Sequence, residues 1–397
     1  MIRQSAVLFA IMMMTVPLAG CTGDDSTSNQ KYTDVSAGTT ATCLILDDGS
    51  VNCWTGADMS NLNGIPGPSD TFLPHNLGEG RTPVAIDMGQ TGDTEAICSI
   101  LDDGSVRCWG YVAGYGSPKL VNLGPDRTAV AISAGSGHTC AILDNGSVSC
   151  WGSNNLGQLG DGTNESWVSW DLPTQTSSLG EGKTAVAISA GLSHTCVILN
   201  DGSVSCWGSG ESNELGDELA IGSSVPIPTS SLGEGRTAVA ITAGDYHTCV
   251  ILDDGSVSCW GNNANGQNGN SNSNTTTPKP TQTSSLGEGR TAVAISAGGG
   301  HTCATLDDGS VSCWGFNGNG QLGDGTTTER HIPTQTSSLG EGRTAVTISA
   351  GDSHTCTLLD DGSVSCWGWN SFCQLGDGTT EDRHMPISSV SLDYGNC

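Results

Sequence analysis

A chain of 397 residues with a formal charge of −28 is a poor candidate for nucleic-acid binding, because phosphate backbones need Lys and Arg to displace their counterions. Its 57 glycines, its 14% content of charged residues and the lack of any long helical apolar period after residue 20 exclude a helical architecture and favour short strands joined by tight turns. The charge itself serves solubility.

Residues 1–21, MIRQSAVLFAIMMMTVPLAGC, place Arg3 ahead of an apolar run and then small residues, the pattern of a secretory signal rather than a membrane span. Leu18-Ala19-Gly20-Cys21 resembles a bacterial lipobox, which implies cleavage before Cys21 and a lipid on it. Ordinary cleavage near Ala19, with Cys21 a spare thiol, is the alternative. Thr22 after the cysteine resembles the signal for outer-membrane export. Residues 22–30, TGDDSTSNQ, are polar and unpatterned and suit a flexible tether. The expected division is a lipoprotein-type signal over 1–20, a tether over 21–30 and the folded part over 31–397, exported and lipid-anchored at the cell envelope or surface.

From residue 31 one cassette returns seven times: two cysteines ten positions apart, a tryptophan after the second, and an Asp-Gly or Asn-Gly turn between them. The pairs are Cys43 with Cys53, Cys98 with Cys108, Cys140 with Cys150, Cys196 with Cys206, Cys249 with Cys259, Cys303 with Cys313 and Cys356 with Cys366. Trp54, Trp109, Trp151, Trp207, Trp260, Trp314 and Trp367 follow them in turn. A period of about 50 residues marks a repeat architecture and overrides the domain count that length suggests. The 17 cysteines comprise these pairs, Cys21, Cys373 and Cys397. With Cys21 acylated the count is even, which in an exported protein reads as a disulfide framework. Structural zinc favours gaps of about two to four residues within a pair, so zinc is the weaker reading.

The third copy shows the unit. Val130 and Ile132 alternate with Ala129, Ala131 and Ser133, predicting a strand with one bulky and one small side. A second strand is expected over Thr139–Leu143, then an Asp144-Asn145-Gly146 loop, then a third over Ser147–Trp151. Counting outward from the loop pairs Leu143 with Ser147, Ile142 with Val148, Ala141 with Ser149 and Cys140 with Cys150. The cysteines then fall at a non-hydrogen-bonded pair, where the chains approach most closely and can be bridged. Each bridge closes a loop of about eleven residues, worth about 2–3 kcal/mol in the chain-entropy model. A fourth strand is expected near Leu172–Leu179, its proline suited to an edge.

Four strands in each of seven periods predict an all-β fold, a seven-bladed propeller of four-stranded blades with a hairpin disulfide in each. The folded part starts at a first-strand register (Tyr32–Gly38) and stops after a last-strand register (Pro386–Leu392), so the terminal strand is expected to complete the first blade. Cys373 replaces the glycine found at Gly157 and Gly320, and a Cys373–Cys397 bridge is expected to pin the tail.

The strings ISAGxxHTCxI, SCWG and NxxGQLGDGT resemble the repeat of the regulator of chromosome condensation, closely at Ile132-Ser133-Ala134-Gly135, His138-Thr139, Trp151-Gly152 and Gly157-Gln158-Leu159-Gly160. The resemblance spans about residues 31–397 and implies a seven-bladed propeller used as a protein-interaction platform. This chain departs from it in its cysteines, in Ala41 and Ala96 where later copies have histidine, and in the second copy, which lacks GQLGDGT. Nucleotide exchange on a small GTPase, known in the nuclear member, does not suit an exported protein. Secreted propellers of this class that inhibit beta-lactamases are the nearer analogy.

His138, His194, His247, His301 and His354 recur at one register on separate blades and read as blade-to-blade hydrogen bonders. The tryptophans of the cassette read as packing. Asp-rich turns such as Asp253-Asp254-Gly255 and loops such as Gly323-Asp324-Gly325 lack a full calcium ligand spacing. No nucleophile–base pattern or phosphate loop stands out, so no catalytic residue, cofactor or metal is expected. Candidate binding residues are the non-repeat aromatics Tyr111, Tyr115, Trp167, Trp170, Phe316, Trp369 and Phe372, with Tyr246 before a repeat histidine. Most fall on blades six, seven, one, two and three and are expected to share an arc; the alternative is that they pack within their own loops. The expectation is a monomeric, non-catalytic scaffold for an unidentified protein partner, touching the membrane only through its lipid. The alternatives are an inhibitor of a secreted or periplasmic enzyme and, more remotely, an enzyme acting on polysaccharide.

Overall fold

The computed structural model describes residues 31–54, 77, 80–89, 96–110, 118–169, 172–218, 221–272 and 275–389. The signal, the tether and Cys21 lie outside these residues, as do Tyr111, Tyr115, Trp170 and Cys397.

The fold is an all-β, seven-bladed propeller in which each repeat forms one antiparallel blade. Blade 4 shows the plan, with strands Ala185–Ala190, His194–Leu199, Val204–Ser209 and Gly222–Pro228 paired in chain order from the axis outward. Blade 1 contributes three described strands, and the outer edge of blade 3 is split into Trp167–Val168 and Thr174–Gln175. The outer strand begins ahead of the Ile-Pro signal, so that Pro226 and Pro228 lie within it. An edge strand tolerates them because no further strand needs their amides.

Small residues form the inner ring because seven strands converge there. Successive inner strands are tied by hydrogen bonds from a backbone amide to a side chain: the Ala190 amide donates to Ser133 Oγ at 3.0 Å, and the Ala37 amide to Ser349 Oγ at 2.9 Å. The second of these joins blade 7 to blade 1 and shuts the ring. Contrary to the expected strand exchange, Arg383–Ser388 pairs with Val364–Gly368 inside blade 7. The last repeat thus forms its own blade, and closure rests on contacts between blades: besides the Ala37–Ser349 bond, the Tyr32 amide donates to the Gly362 carbonyl at 3.0 Å and the Asp352 amide to the Gly38 carbonyl at 3.2 Å.

The hairpins hold the expected register, with Cys140 opposite Cys150 and Ile142 opposite Val148. All seven expected hairpin disulfides are formed. Cys43 bonds to Cys53, Cys98 to Cys108, Cys140 to Cys150 and Cys196 to Cys206. Cys249 bonds to Cys259, Cys303 to Cys313 and Cys356 to Cys366. Their Cα–Cα separations are 4.0–4.1 Å, the close approach of a non-hydrogen-bonded pair. The first strand departs from simple alternation. A bulge between Ala129 and Ala131 turns Val130 outward, 43% exposed, and leaves Ile132 on the side of Ala129. The same bulge recurs in blades 4 to 7.

The apolar core lies between blades. Cys140, Ile142, Val148, Cys150 and Leu159 of blade 3 pack against Ala185, Val197, Leu199 and Trp207 of blade 4. The Trp207 indole N–H donates to the Gln158 carbonyl of the preceding blade at 2.8 Å, and Thr195 Oγ1 donates to the same oxygen at 2.9 Å. His138 Nε2 lies 2.8 Å from that Thr195 hydroxyl. A carbonyl only accepts, so the threonine proton goes to Gln158 and its lone pair faces an Nε2–H; the histidine is the neutral Nε2 tautomer. The chain repeats from His194 to Thr248, His247 to Thr302, His301 to Thr355 and, across the closure, His354 to Thr42. Burial pushes all five imidazoles down to about 3. At the seam between blades 1 and 2, Ala41 and Ile97 take the histidine and threonine places inside an apolar cluster.

Gly191 is required by this contact, since a Cβ there would overlap the Gly244 carbonyl oxygen of the next blade and the His194 ring. Gly191→Ala is expected to cost about 1–3 kcal/mol, seen as a lower urea midpoint at unchanged slope.

Candidate functional site

The two ends of the propeller differ in kind. One end, the turn face, carries the Asp-Gly turns and the inter-blade connections. From blade 2 to blade 7 an Arg or Lys of the connection pairs with an aspartate of the turn, as in Arg236 with Asp254 at 2.7 Å and Arg290 with Asp308 at 2.8 Å. The turns also satisfy themselves: Asp254 Oδ1 accepts from the Ser256 amide and hydroxyl at 3.0 and 2.6 Å. This is turn chemistry repeated from blade to blade. Among the described residues, no cluster of three or more His, Cys, Asp or Glu side chains is placed to hold a metal.

The other end, the loop face, is where blades diverge. The residue after each Trp-Gly sits beside the turn between the first two strands of its own blade. Backbone amides of Asn262, Phe316 and Trp369 donate to the carbonyls of Tyr246, Gly300 and Ser353 at 2.8, 2.8 and 2.9 Å. Blades 5, 6 and 7 therefore carry an aromatic each at one station around the axis: Tyr246 (43% exposed), Phe316 (37% exposed) and half-buried Trp369. Trp369 also meets Phe372 edge to face, centroids 5.2 Å apart, so this pair packs within its own loop. Trp167 is exposed on blade 3, separated from the others by blade 4.

Of the described aromatics, Phe316, Trp369 and Phe372 lie on blades 6 and 7 and Trp167 on blade 3, all within the expected arc, and Tyr246 of blade 5 adjoins the blade 6 end of it. Tyr111, Tyr115 and Trp170 lie outside the described residues. Cys373 is buried, is a disulfide cysteine and holds φ +58°, where Gly157 and Gly320 hold +79° and +82°. A left-handed L-residue costs about 1–2 kcal/mol, so cysteine is not there for the backbone's sake. Its expected partner, Cys397, lies outside the described residues.

Two features of the loop face escape a search for aromatics. In blades 3 and 5 the residue after Trp-Gly accepts from a buried amide: Gln158 Nε2 donates to Ser153 Oγ at 3.3 Å and Gln267 Nε2 to Asn262 Oδ1 at 3.0 Å. Phe316 and Trp369 offer no such acceptor, and Gln321 Nε2 and Gln374 Nε2 are buried without partners. Flipping these amides gives no relief, because each Oε1 already accepts a backbone N–H, from Asn319 and Phe372 at 3.0 and 2.9 Å. A buried unpaired donor costs about 1–3 kcal/mol.

The second feature is acidic. The turn preceding the repeat histidine reads Gly244-Asp245-Tyr246 in blade 5, Gly298-Gly299-Gly300 in blade 6 and Gly351-Asp352-Ser353 in blade 7. A Cβ on Gly299 would overlap Asp352 Oδ1 and lie 3.3 Å from Asp245 Oδ2. Two carboxylates from blades two apart therefore meet over bare backbone. Burial, then the charge of Asp352, pushes Asp245 up to about 7. Burial, then Asp245 and Glu214, raises Tyr246 as well. The signal was present in the GxxH slot, once its copies are aligned by blade.

A family model described as the RCC1-like domain matches residues 116–393. The chain is 34% identical over 269 residues to the ultraviolet-B receptor UVR8 of Arabidopsis thaliana, covering 68% of this chain and 59% of that protein. It is 30% identical over 292 residues to the probable E3 ubiquitin-protein ligase HERC6 of Homo sapiens, covering 72% of this chain and 28% of that one. The chain thus spans less than two thirds of these curated relatives. Among solved structures, yeast RCC1 (Prp20) bound to Kap60 superposes with a TM-score of 0.69 at 19% identity, covering 81% of this chain and 78% of that one. The ectodomain of the Arabidopsis thaliana receptor kinase ACR4 gives 0.51 at 21% identity, covering 92% and 100%.

Proposed function

This chain belongs to the RCC1-like domain family, and we propose that it acts as a non-catalytic scaffold that binds a protein partner through its loop face, held outside the cytoplasm by a lipid on Cys21. One observation carries the binding half: blades 4 to 7 repeat their turn-face ion pairs almost unchanged while their loop-face residues differ. Structural need repeats with the blade; a partner does not. Prp20, whose solved structure concerns its binding of Gsp1p and histones, is a relative in fold that engages proteins. The disulfides support an oxidising compartment, and the fold also serves as a receptor ectodomain in ACR4.

Labelling cells with a palmitate analogue is expected to mark the wild-type chain and leave Cys21→Ser unmarked; a marked C21S variant would refute the anchor. Cross-linked capture from envelope preparations is expected to recover one dominant partner, its yield reduced about tenfold, or about 1.4 kcal/mol, by Tyr246→Ala with Trp369→Ala. Equal yield from both chains would remove this face from the function. If the partner is a secreted enzyme whose turnover stops on binding, the scaffold is an inhibitor.

A further inference from the structure

The two ends of the propeller handle negative charge in opposite ways. At the turn face, blades 2 to 7 set a cation against an aspartate. At the loop face no Lys or Arg among the described residues pairs with Asp245 or Asp352, although the two carboxylates crowd each other over Gly299. Among the described residues, the Asp352 carboxylate accepts from the neighbouring Ser353 hydroxyl at 3.1 Å. Tyr246 follows Asp245 directly, and Phe316 has its Cβ beside Gly300 and its ring, still 37% exposed, over Gly318 of its own loop.

The aromatics at Phe316 and Trp369 are held there against the interest of the fold. Blades 3 and 5 show that serine or asparagine at this station satisfies the buried glutamine, whereas blades 6 and 7 leave it unpaired at full burial. Each ring has a contact in its own loop, Phe316 over Gly318 and Trp369 against Phe372, and packing of a partner on the exposed part of each would offset the unpaired donor beneath it. Exposed rings beside coupled carboxylates define a chemistry: a cation that is also organic, attracted to the ring faces as well as to the charge.

We propose that the loop-face mouth between blades 5 and 7 receives a lysine or arginine side chain presented by a protein partner. The proposal rests on the protein-binding reading above and names what that partner must offer. The cation sits between Asp245 and Asp352 and relieves their mutual repulsion. Tyr246 and Phe316 cover its aliphatic stem and face. The bare backbone of Gly299 leaves both carboxylates open to it, where a Cβ would overlap Asp352 Oδ1. Two carboxylates fall short of the oxygen shell that calcium requires, while one basic side chain needs no more.

The test titrates acetyl-Gly-Arg-Gly-amide into the intact protein and follows binding by calorimetry and tryptophan fluorescence. Saturable one-to-one binding is expected, weakened about tenfold or more when citrulline, a neutral isostere, replaces arginine. The same loss is expected in Asp245→Asn with Asp352→Asn, which removes only two of many acids on a strongly negative chain. Phe316→Asn copies the residue that blade 5 already uses, so it is expected to melt no lower than wild type while binding the peptide more weakly. No binding, equal binding of the citrulline peptide, or arginine binding that survives D245N with D352N each overturns the proposal. Displacement of the peptide by equimolar calcium chloride overturns it too, making the mouth a metal site. A partner captured equally by wild type and by D245N with D352N overturns this inference and leaves the scaffold standing. A wild type that captures no partner, yet still separates arginine from citrulline, overturns the scaffold instead.

Discussion

Reduced and alkylated completely, the protein is expected to lose its cooperative unfolding transition. Each hairpin bridge closes a loop of about eleven residues and contributes about 2–3 kcal/mol. Seven such contributions, even with incomplete additivity, are as large as the 5–15 kcal/mol or so that holds a globular protein together. The bridges also fill space. Cys108, Cys150, Cys206, Cys259, Cys313 and Cys366, like their partners, are 0% exposed and pack into the seams between blades. Under native conditions the order of attack follows access. Cys53 is the half-buried exception, so the Cys43–Cys53 bridge should be reduced first and alone by a mild thiol. Mass mapping of alkylated peptides over time reads this directly. Simultaneous loss of all seven bridges, or a fully reduced chain with an intact sharp melt, would refute the account.

The second large effect is acid unfolding set by the seam histidines. Their folded values of about 3 lie below the unfolded 6.5, so the stability they contribute is complete above 6.5 and lost as pH falls toward 3. Three carboxyls work the other way. Asp34 and Asp87 on the inner ring rise to about 7 and about 6, and Asp245 to about 7, from 3.8. What they contribute is complete below 3.8 and lost as pH rises through 6 to 7. Between pH 6 and 4 both sets act, and five histidines against three carboxyls leave two proton equivalents, about 2.7 kcal/mol lost per pH unit of acidification. Turn aspartates held low by their serines, such as Asp308 and Asp361, push in the same direction. Urea titrations across pH are expected to show a plateau above 7 and a steep fall below 6. The double change His194→Ala with Thr248→Ile copies the natural apolar seam of Ala41 and Ile97, and should flatten the fall by about one proton equivalent. Stability that holds or rises between pH 6 and 4 would overturn the assignment.

How much of this was legible beforehand depended on whether the information was local. Hairpin register follows from counting out of a three-residue loop, and Cys140 opposite Cys150 needed nothing more. The bulge at Val130 did not follow, because alternation cannot announce an extra residue whose partner strand is elsewhere. Ring closure is ambiguous in the sequence for a related reason: a strand-like tail after residue 383 fits either its own blade or the first, and only pairing with Val364–Gly368 decides. At the loop face, exposed aromatics could be found one at a time. The Asp245–Asp352 encounter is different in kind, since those residues are joined through the glycines of an intervening blade. The orphaned amides of Gln321 and Gln374 become visible only by comparison with Gln158 and Gln267, which have their partners.

Coincidence of repeat and blade has a consequence for how such a chain can change. The stretch from the outer strand to the next inner one reads SSLGEGKTAVAISAG, SSLGEGRTAVAITAG, SSLGEGRTAVAISAG and SSLGEGRTAVTISAG in successive copies. Crossing-over between misaligned copies would insert or delete one entire blade, seam chemistry included, with no strand left half-built. It would also shuffle whole loop-face sectors as cassettes, so that recognition could be rewritten by recombination while the fold is inherited intact.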